Sequence, residues 1–348
     1  MKLHKLVIFI LIVFFKTETL FSENNLFNVN NIQLKKKDKT SNNSLADEAI
    51  QRGFDQLITR ILLKEDKDKL SDLNFSLIKQ LVIYYQITNV HNNDNKEEEV
   101  NFSITFDKDK IHSLLYKRGI SYSDISDKEL YVLPVLIKEN QINIFNNNFF
   151  YENWNEIYKN DLIEFVLPLE NIEIIQNINN NKNNLINLEL DSLFNEYKNK
   201  NLALIFIEEN TSSNKNVYIK SYIQGKNISK SLKFKKENLN TDKFYVKVIT
   251  ESKEELINLI KSQNLINIRT PSFLNANLNL SRKSNLVELN SRIKKIDVIE
   301  NIYVQNFNKN YVNLRIKYLG KLEKIINLLK TENIDLQLIN DQWIIKVL

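Results

Sequence analysis

The chain contains no Cys. This excludes disulfide scaffolds, thiol nucleophiles, thiolate zinc sites and iron–sulfur clusters. Its 3 His argue against an imidazole metal cage. Its 4 Gly leave no room for a dinucleotide fingerprint or a phosphate-cradling P-loop. No stretch beyond the amino-terminal region is long and apolar enough to cross a membrane as a helix. What is present is ample core material. Of 348 residues, 43% are hydrophobic and 26% charged, which argues against wholesale disorder. The length suggests two or three domains. The 54 Asn fall mainly in turns and on polar strand faces.

Lys2, His4 and Lys5 precede an unbroken apolar run from Leu6 to Phe15, and small or polar residues follow to Ser22. This is the layout of a secretory signal peptide, with cleavage expected near Ser22–Glu23. Ten residues span about 15 Å of helix, half a bilayer core. An uncleaved amino-terminal anchor is the alternative. Removing 1–22 takes Lys2, Lys5 and Lys16 against Glu18, and lowers the formal charge from +5 to +3. Export and mixed charge together argue against nucleic-acid binding, which needs a basic stripe with stacking aromatics.

The exported part reads as several small α/β modules, an α+β protein, over 23–122, 123–235 and 236–348. In the first, Phe27–Leu34 suggests a strand. Ser44 and Asp47 resemble a helix cap before Ala46, Ala49, Ile50, Phe54, Leu57, Ile58, Ile61 and Leu62, which repeat at three and four. Leu81–Val90 is rich in β-formers, and Val100, Phe102, Ile104 and Phe106 alternate strictly, as in a half-buried strand. A helix over 107–116 ends at Gly119. In the second module, ELYVLPVLI at 129–137 reads as a strand buried on both faces, with Pro134 implying an edge or bulge. Residues 149–158 suggest a helix, and 162–169 and 202–207 suggest strands. NINNNKNN at 177–184 reads as a solvated loop. In the third, KFYVKVI at 243–249 and a helix at 252–263 lead into strand and helix periods in the order βαββαβ, a ferredoxin-like split βαβ unit.

These residues resemble the bacterial envelope proteins that carry domain of unknown function 2066. The matching residues are Ala46, Ala49, Arg52, Leu57 and Arg60 on the first helix; Phe102, Phe106, Leu114, Leu115, Gly119 and Ile120; and Val132–Leu136 followed by Trp154. Pro168, Tyr318, Gly320 and Trp343 complete the series. They run in order along nearly all of the exported chain. Most Ala and Gly of the family pattern are replaced by Asn, Lys and Ile. The resemblance implies an envelope protein with no established activity and no catalytic residues to carry over. At fold level the middle segment is also similar to the α/β domains of envelope assembly proteins.

Candidate chemistry is sparse. Arg52 and Arg60, eight apart on one helix, can pair with neighbouring carboxylates or hold an anionic partner. Trp154 is a core residue or a binding platform. Glu152 and Glu156 flank it at i,i+4, an arrangement that would suit glycoside hydrolysis only if both acids lined a cleft. His91, His112 and Glu97–Glu99 suggest surface positions rather than metal ligands. Lys35, Lys36, Lys37 and Lys39 offer a transient contact to anionic lipid headgroups. The reading is therefore a periplasmic, non-enzymatic module that binds a protein partner, with no cofactor, metal or catalytic residue. An envelope hydrolase and a membrane-tethered form are the alternatives.

Overall fold

The alternation of Val100, Phe102, Ile104 and Phe106 organises the first sheet, because all four side chains are buried on one face. The computed structural model describes residues 26–36, 41–90, 98–125, 127–139, 141–158, 162–197, 199–209, 214–236, 240–280, 285–307 and 309–348. Residues 1–22, where the sequence reads as a signal peptide, and His91, Glu97, Lys37 and Lys39 lie outside them. The fold is α+β. The chain divides into two compact units. The first gathers the described residues up to Thr59, Asp66–Tyr122 and Ile266–Leu348; the second gathers Arg60–Glu65 and Ser123–Leu265. Among the described residues no helix is long and apolar enough to cross a membrane.

In the first unit, β1 (Asn28–Lys36) leads into α1 (Asn42–Ile61), α2 (Phe75–Gln80), β2 (Val82–Val90), β3 (Glu98–Phe106) and α3 (Lys108–Arg118). The strands form an antiparallel sheet in the order β1-β3-β2. Helix α1 starts before the expected Ser44 cap: the Ser41 hydroxyl accepts from the Ser44 N–H at 3.2 Å, so Ser41 caps the helix. Helix α3 ends at Gly119 as the sequence implied, and Asp107, read as its first residue, is instead its cap. Asp107 accepts from the Asp109 and Lys110 N–H groups, and Gly119 closes the helix in the left-handed region at φ 66°.

The two-residue strand β4 (Tyr122–Ser123) precedes the second unit. There β5 (Glu129–Lys138), β6 (Gln141–Asn143), α4 (Phe149–Asn153), β7 (Glu164–Val166), α5 (Ile172–Asn180) and α6 (Leu190–Leu193) come first. Next come β8 (Leu202–Glu209), β9 (Asn214–Ile223), β10 (Lys226–Lys235) and α7 (Thr241–Gln263). The sheet runs β10-β9-β8-β5-β6, with β7 also on β5. Strands β5 and β8 are parallel, and their near-continuous burial follows from cover on both faces. Pro134 is internal rather than at the sheet edge. It falls in the gap between two short pairings, β7 on Glu129–Tyr131 and β6 on Leu136–Lys138.

Two local expectations change. Residues 243–249 are not separate from the following helix: α7 runs unbroken from Thr241. Its Phe244, Val248, Ile249, Leu256 and Ile260 enter the core with Ile205, Ile207, Val217 and Ile219. Burying each such side chain contributes about 1.5–3 kcal/mol, which outweighs the β-propensity of KFYVKVI. Residue 236 thus falls just before a helix that packs on the preceding sheet. Residues 177–180 of the NINNNKNN stretch are helical because Ile174 and Ile178, four apart, are buried. The helix at 149 is short, ending at Asn153, and the strand expected over 162–169 is confined to Glu164–Val166.

After β11 (Leu265–Ile266) come β12 (Ser272–Asn279), α8 (Asn285–Ile293), β13 (Ile299–Phe307), β14 (Tyr311–Tyr318), α9 (Leu322–Thr331), β15 (Ile334–Ile339) and β16 (Gln342–Val347). The sheet order is β13-β14-β12-β16-β15. The first six of these elements from β12 follow βαββαβ, as expected. The closing strand β16 inserts parallel to β12 and pushes β15 to the edge. The β15–β16 hairpin turns through Asn340 and Asp341, with φ of 50° and 60°. These angles suit the two-residue turn that matches strand twist.

Candidate binding surfaces

The residues singled out in the sequence do not converge. Arg52 pairs with Glu48 at 2.6 Å, one turn away on α1, with both side chains about half exposed. Such a pair contributes about 0.3–0.5 kcal/mol. Arg60 is half-buried near the end of the same helix. Trp154 is fully buried, edge-on to Phe165 at 6.3 Å, in the core of the second unit. It is a packing residue there, with no exposed ring face to offer a ligand. Glu152 and Glu156 are exposed on either side of it. They line no cleft with the ring, so the acid–ring–acid arrangement is absent. Among the described residues no group of three His, Asp or Glu is placed to hold a metal ion.

His112 is buried, contrary to the surface position expected. Its imidazole stacks on Tyr122 at 5.1 Å and meets Phe27 edge-on at 5.5 Å, and its Nε2 finds no hydrogen-bond partner among the described residues. Burial, reinforced by Lys108, lowers its pKa to about 4 against the opposing pull of Glu300 and Asp109. The imidazole is therefore neutral at pH 7 and serves as an aromatic core residue.

Three lysines of the second unit are buried. The Lys253 ammonium donates to the Ile157 carbonyl at 2.7 Å and sits over the rings of Phe165 and Trp154 at 5.0 and 5.6 Å. Desolvation lowers its pKa to about 8. Eight residues along α7, Lys261 donates to the Leu62 carbonyl at 3.0 Å. Lys261 thus satisfies a carbonyl just past the end of α1. Lys215 pairs with Glu209 at 3.0 Å, and the Tyr245 hydroxyl donates to the same carboxylate at 2.9 Å. Burial and that carboxylate push Tyr245 up to about 12. These groups are enclosed by side chains of their own unit, and their arrangement is structural.

The most distinctive surface is the free edge of the first sheet. Among the described residues, strand β2 pairs with β3 on one side only. Gly53 places α1 over Ile32 of β1 and Ile104 of β3. Tyr85 and Ile87 share the inner face with Ile104 and Phe102, yet they stay 41% and 44% exposed. Ile83 and Tyr84 are at least half exposed, and Leu77 of α2 lies open just before the strand. No residue from Val82 to Val90 carries a charge, in a chain that is one-quarter charged. Native edges are ordinarily blunted by Lys, Pro or a covering element. The run LVIYYQITNV showed a strand, but sequence pattern carries no mark of strand order, so its edge position was not legible.

Fold and surface thus define an α+β protein with an unguarded sheet edge. No protein-family model matches the chain, and no curated protein matches it. One solved structure, described as the crystal structure of an uncharacterized protein, aligns with 40% of this chain and 94% of its own. Identity is 12% and the TM-score 0.19, too low to carry an argument.

Proposed function

We propose that this chain is an exported envelope protein that binds a partner polypeptide without catalysing a reaction, by adding a strand of the partner to β2. One observation carries this reading: an uncharged nine-residue edge strand with Ile83, Tyr84, Tyr85 and Ile87 exposed. Main-chain hydrogen bonds along such an edge supply affinity, and pockets between alternate side chains supply specificity. The signal-peptide layout of residues 1–22 and the resemblance to the envelope family with domain of unknown function 2066 support a periplasmic setting. In this reading the protein works without a cofactor.

A photocrosslinking residue at position 84 tests this in intact cells. It should yield one discrete adduct with an envelope protein, and a Thr88→Lys change should abolish that adduct. The same probe at Val287, exposed on α8, is the control. Equal adduct patterns from positions 84 and 287 would refute the reading. Amino-terminal sequencing of the exported protein should begin near Glu23.

A further inference from the structure

We propose that the outer face of the β13-β14-β12-β16 sheet is a binding trough for a neutral, hydroxyl-rich ligand, a glycan segment. Alternation builds the face. Leu274, Ala276 and Leu278 of β12 and Val312, Leu314 and Ile316 of β14 are buried toward the core. Their neighbours Phe273, Asn275, Asn277 and Asn313 therefore point the other way. Register places Asn277 directly opposite Asn313 and Asn275 opposite Arg315, so the amides form a block across two strands instead of a scattered set.

The resulting open trough has a volume of about 450 Å³, within the range of small-ligand sites. Five carboxamides line it: Asn275, Asn277, Gln305, Asn313 and Gln342. Each offers two donors and an acceptor, the pattern that adjacent sugar hydroxyls complement. Among the described residues Asp341 is the one charged side chain in the lining, and Arg315 stands at one end, so the two opposite charges leave no net preference for an anion. The Asn313 side-chain oxygen is buried and accepts no hydrogen bond from the described residues. A buried polar atom left unpaired is costly, and rotation of this amide toward a ligand hydroxyl in the trough removes that cost. At one end Phe273 is 46% exposed. The Arg315 guanidinium stacks on this ring at 4.2 Å, which fixes it as a flat wall for the apolar face of a sugar. The trough is separate from the β2 edge, and the two readings stand or fall independently.

Isothermal titration of the purified chain with maltohexaose, cellohexaose and chitohexaose is the test. At least one should bind, with amide shifts in the NMR spectrum confined to 273–277, 305, 313–315 and 341–343. The double change Asn277→Leu and Asn313→Leu should weaken binding about tenfold or more, with circular dichroism unchanged. Should that pair disturb folding, Gln342→Leu alone should still weaken binding. No heat and no shifts with any of the three sugars at about 10 mM, well above the weak-binding limit, would overturn the proposal. Binding that survives the substitutions would do so too. Exclusive binding of sulfated dextran would refute the neutral ligand class, and displacement of the sugar by an uncharged Asn- and Ser-rich decapeptide would reassign the trough to peptide.

Discussion

The buried imidazole of His112 makes the first unit acid-sensitive by a calculable amount. The group titrates near 6.5 when exposed and near 4 in the folded state. A lowered pKa means that the folded state binds fewer protons than the unfolded chain between these values. Stability contributed by the neutral ring is thus fully present above pH 6.5 and is lost as pH falls toward 4. Linkage gives a loss of about 2 kcal/mol at about pH 5 and about 3 kcal/mol at about pH 4. That is a large share of a typical domain stability of about 5–15 kcal/mol.

The perturbation is His112→Phe, which keeps an aromatic ring between Phe27 and Tyr122 and removes the titration. The assay is urea unfolding across this pH range, followed by the fluorescence of Trp343, which lies in the same unit. The native protein should lose about 2 kcal/mol more than the variant between about pH 7.5 and 5, while the two stay within about 1 kcal/mol of each other at the higher pH. Parallel curves for the two proteins would refute the argument. So would a His112 resonance titrating near 6.5 in the folded protein.

Three further outcomes follow from packing. Gly53→Ala should destabilise by about 1–2 kcal/mol despite a better helix propensity, because its Cβ would sit 2.9 Å from Ile104 and 3.0 Å from Ile32; a raised melting temperature would contradict this. Asn148 is fully buried, donates to the carbonyls of Pro134, Asn143 and Ile144, and accepts from the Phe150 and Tyr151 N–H groups. Replacing it with Ala should cost about 3 kcal/mol or more and replacing it with Asp should cost further, since a carboxylate cannot donate; thermal denaturation within 1 °C of the parent, about the resolution of such scans, would disprove that. The lowered pKa of Lys253, about 8 against 10.5, makes the folded state bind fewer protons in this window. The native protein should therefore gain up to about 3 kcal/mol relative to Lys253→Met as pH rises across it, and equal pH slopes in urea unfolding would count against it.

Much of the local structure was legible because burial and periodicity coincide. Helix α3 announced both ends, Asp107 and Gly119, and β3 alternated cleanly. The βαββαβ order was readable because its strand and helix periods switch without overlap. What was lost depends on neighbours distant in sequence. KFYVKVI is locally a strand sequence, and only the sheet beneath Phe244 and Val248 makes it helix. Ile174 and Ile178 were too few to stand out above a run of Asn. Asn148 is a central buried polar group of the second unit, but one Asn among 54 gives no signal of its own. Arg52 and Trp154 show the converse: residue types associated with binding, spent on an intrahelical ion pair and on the core. The amide trough was invisible because it requires the register of β12 on β14, which no local pattern encodes.

The place of β16 has a consequence for how the protein is made. This strand lies between β12 and β15, and the first unit also includes β1, on the order of 300 residues earlier, a high-contact-order arrangement. Until Gln342–Val347 has been synthesised, β12 and β15 have no strand between them, and the unit stays open while the second is already complete in sequence. Late completion of one sheet thus acts as a built-in delay on folding.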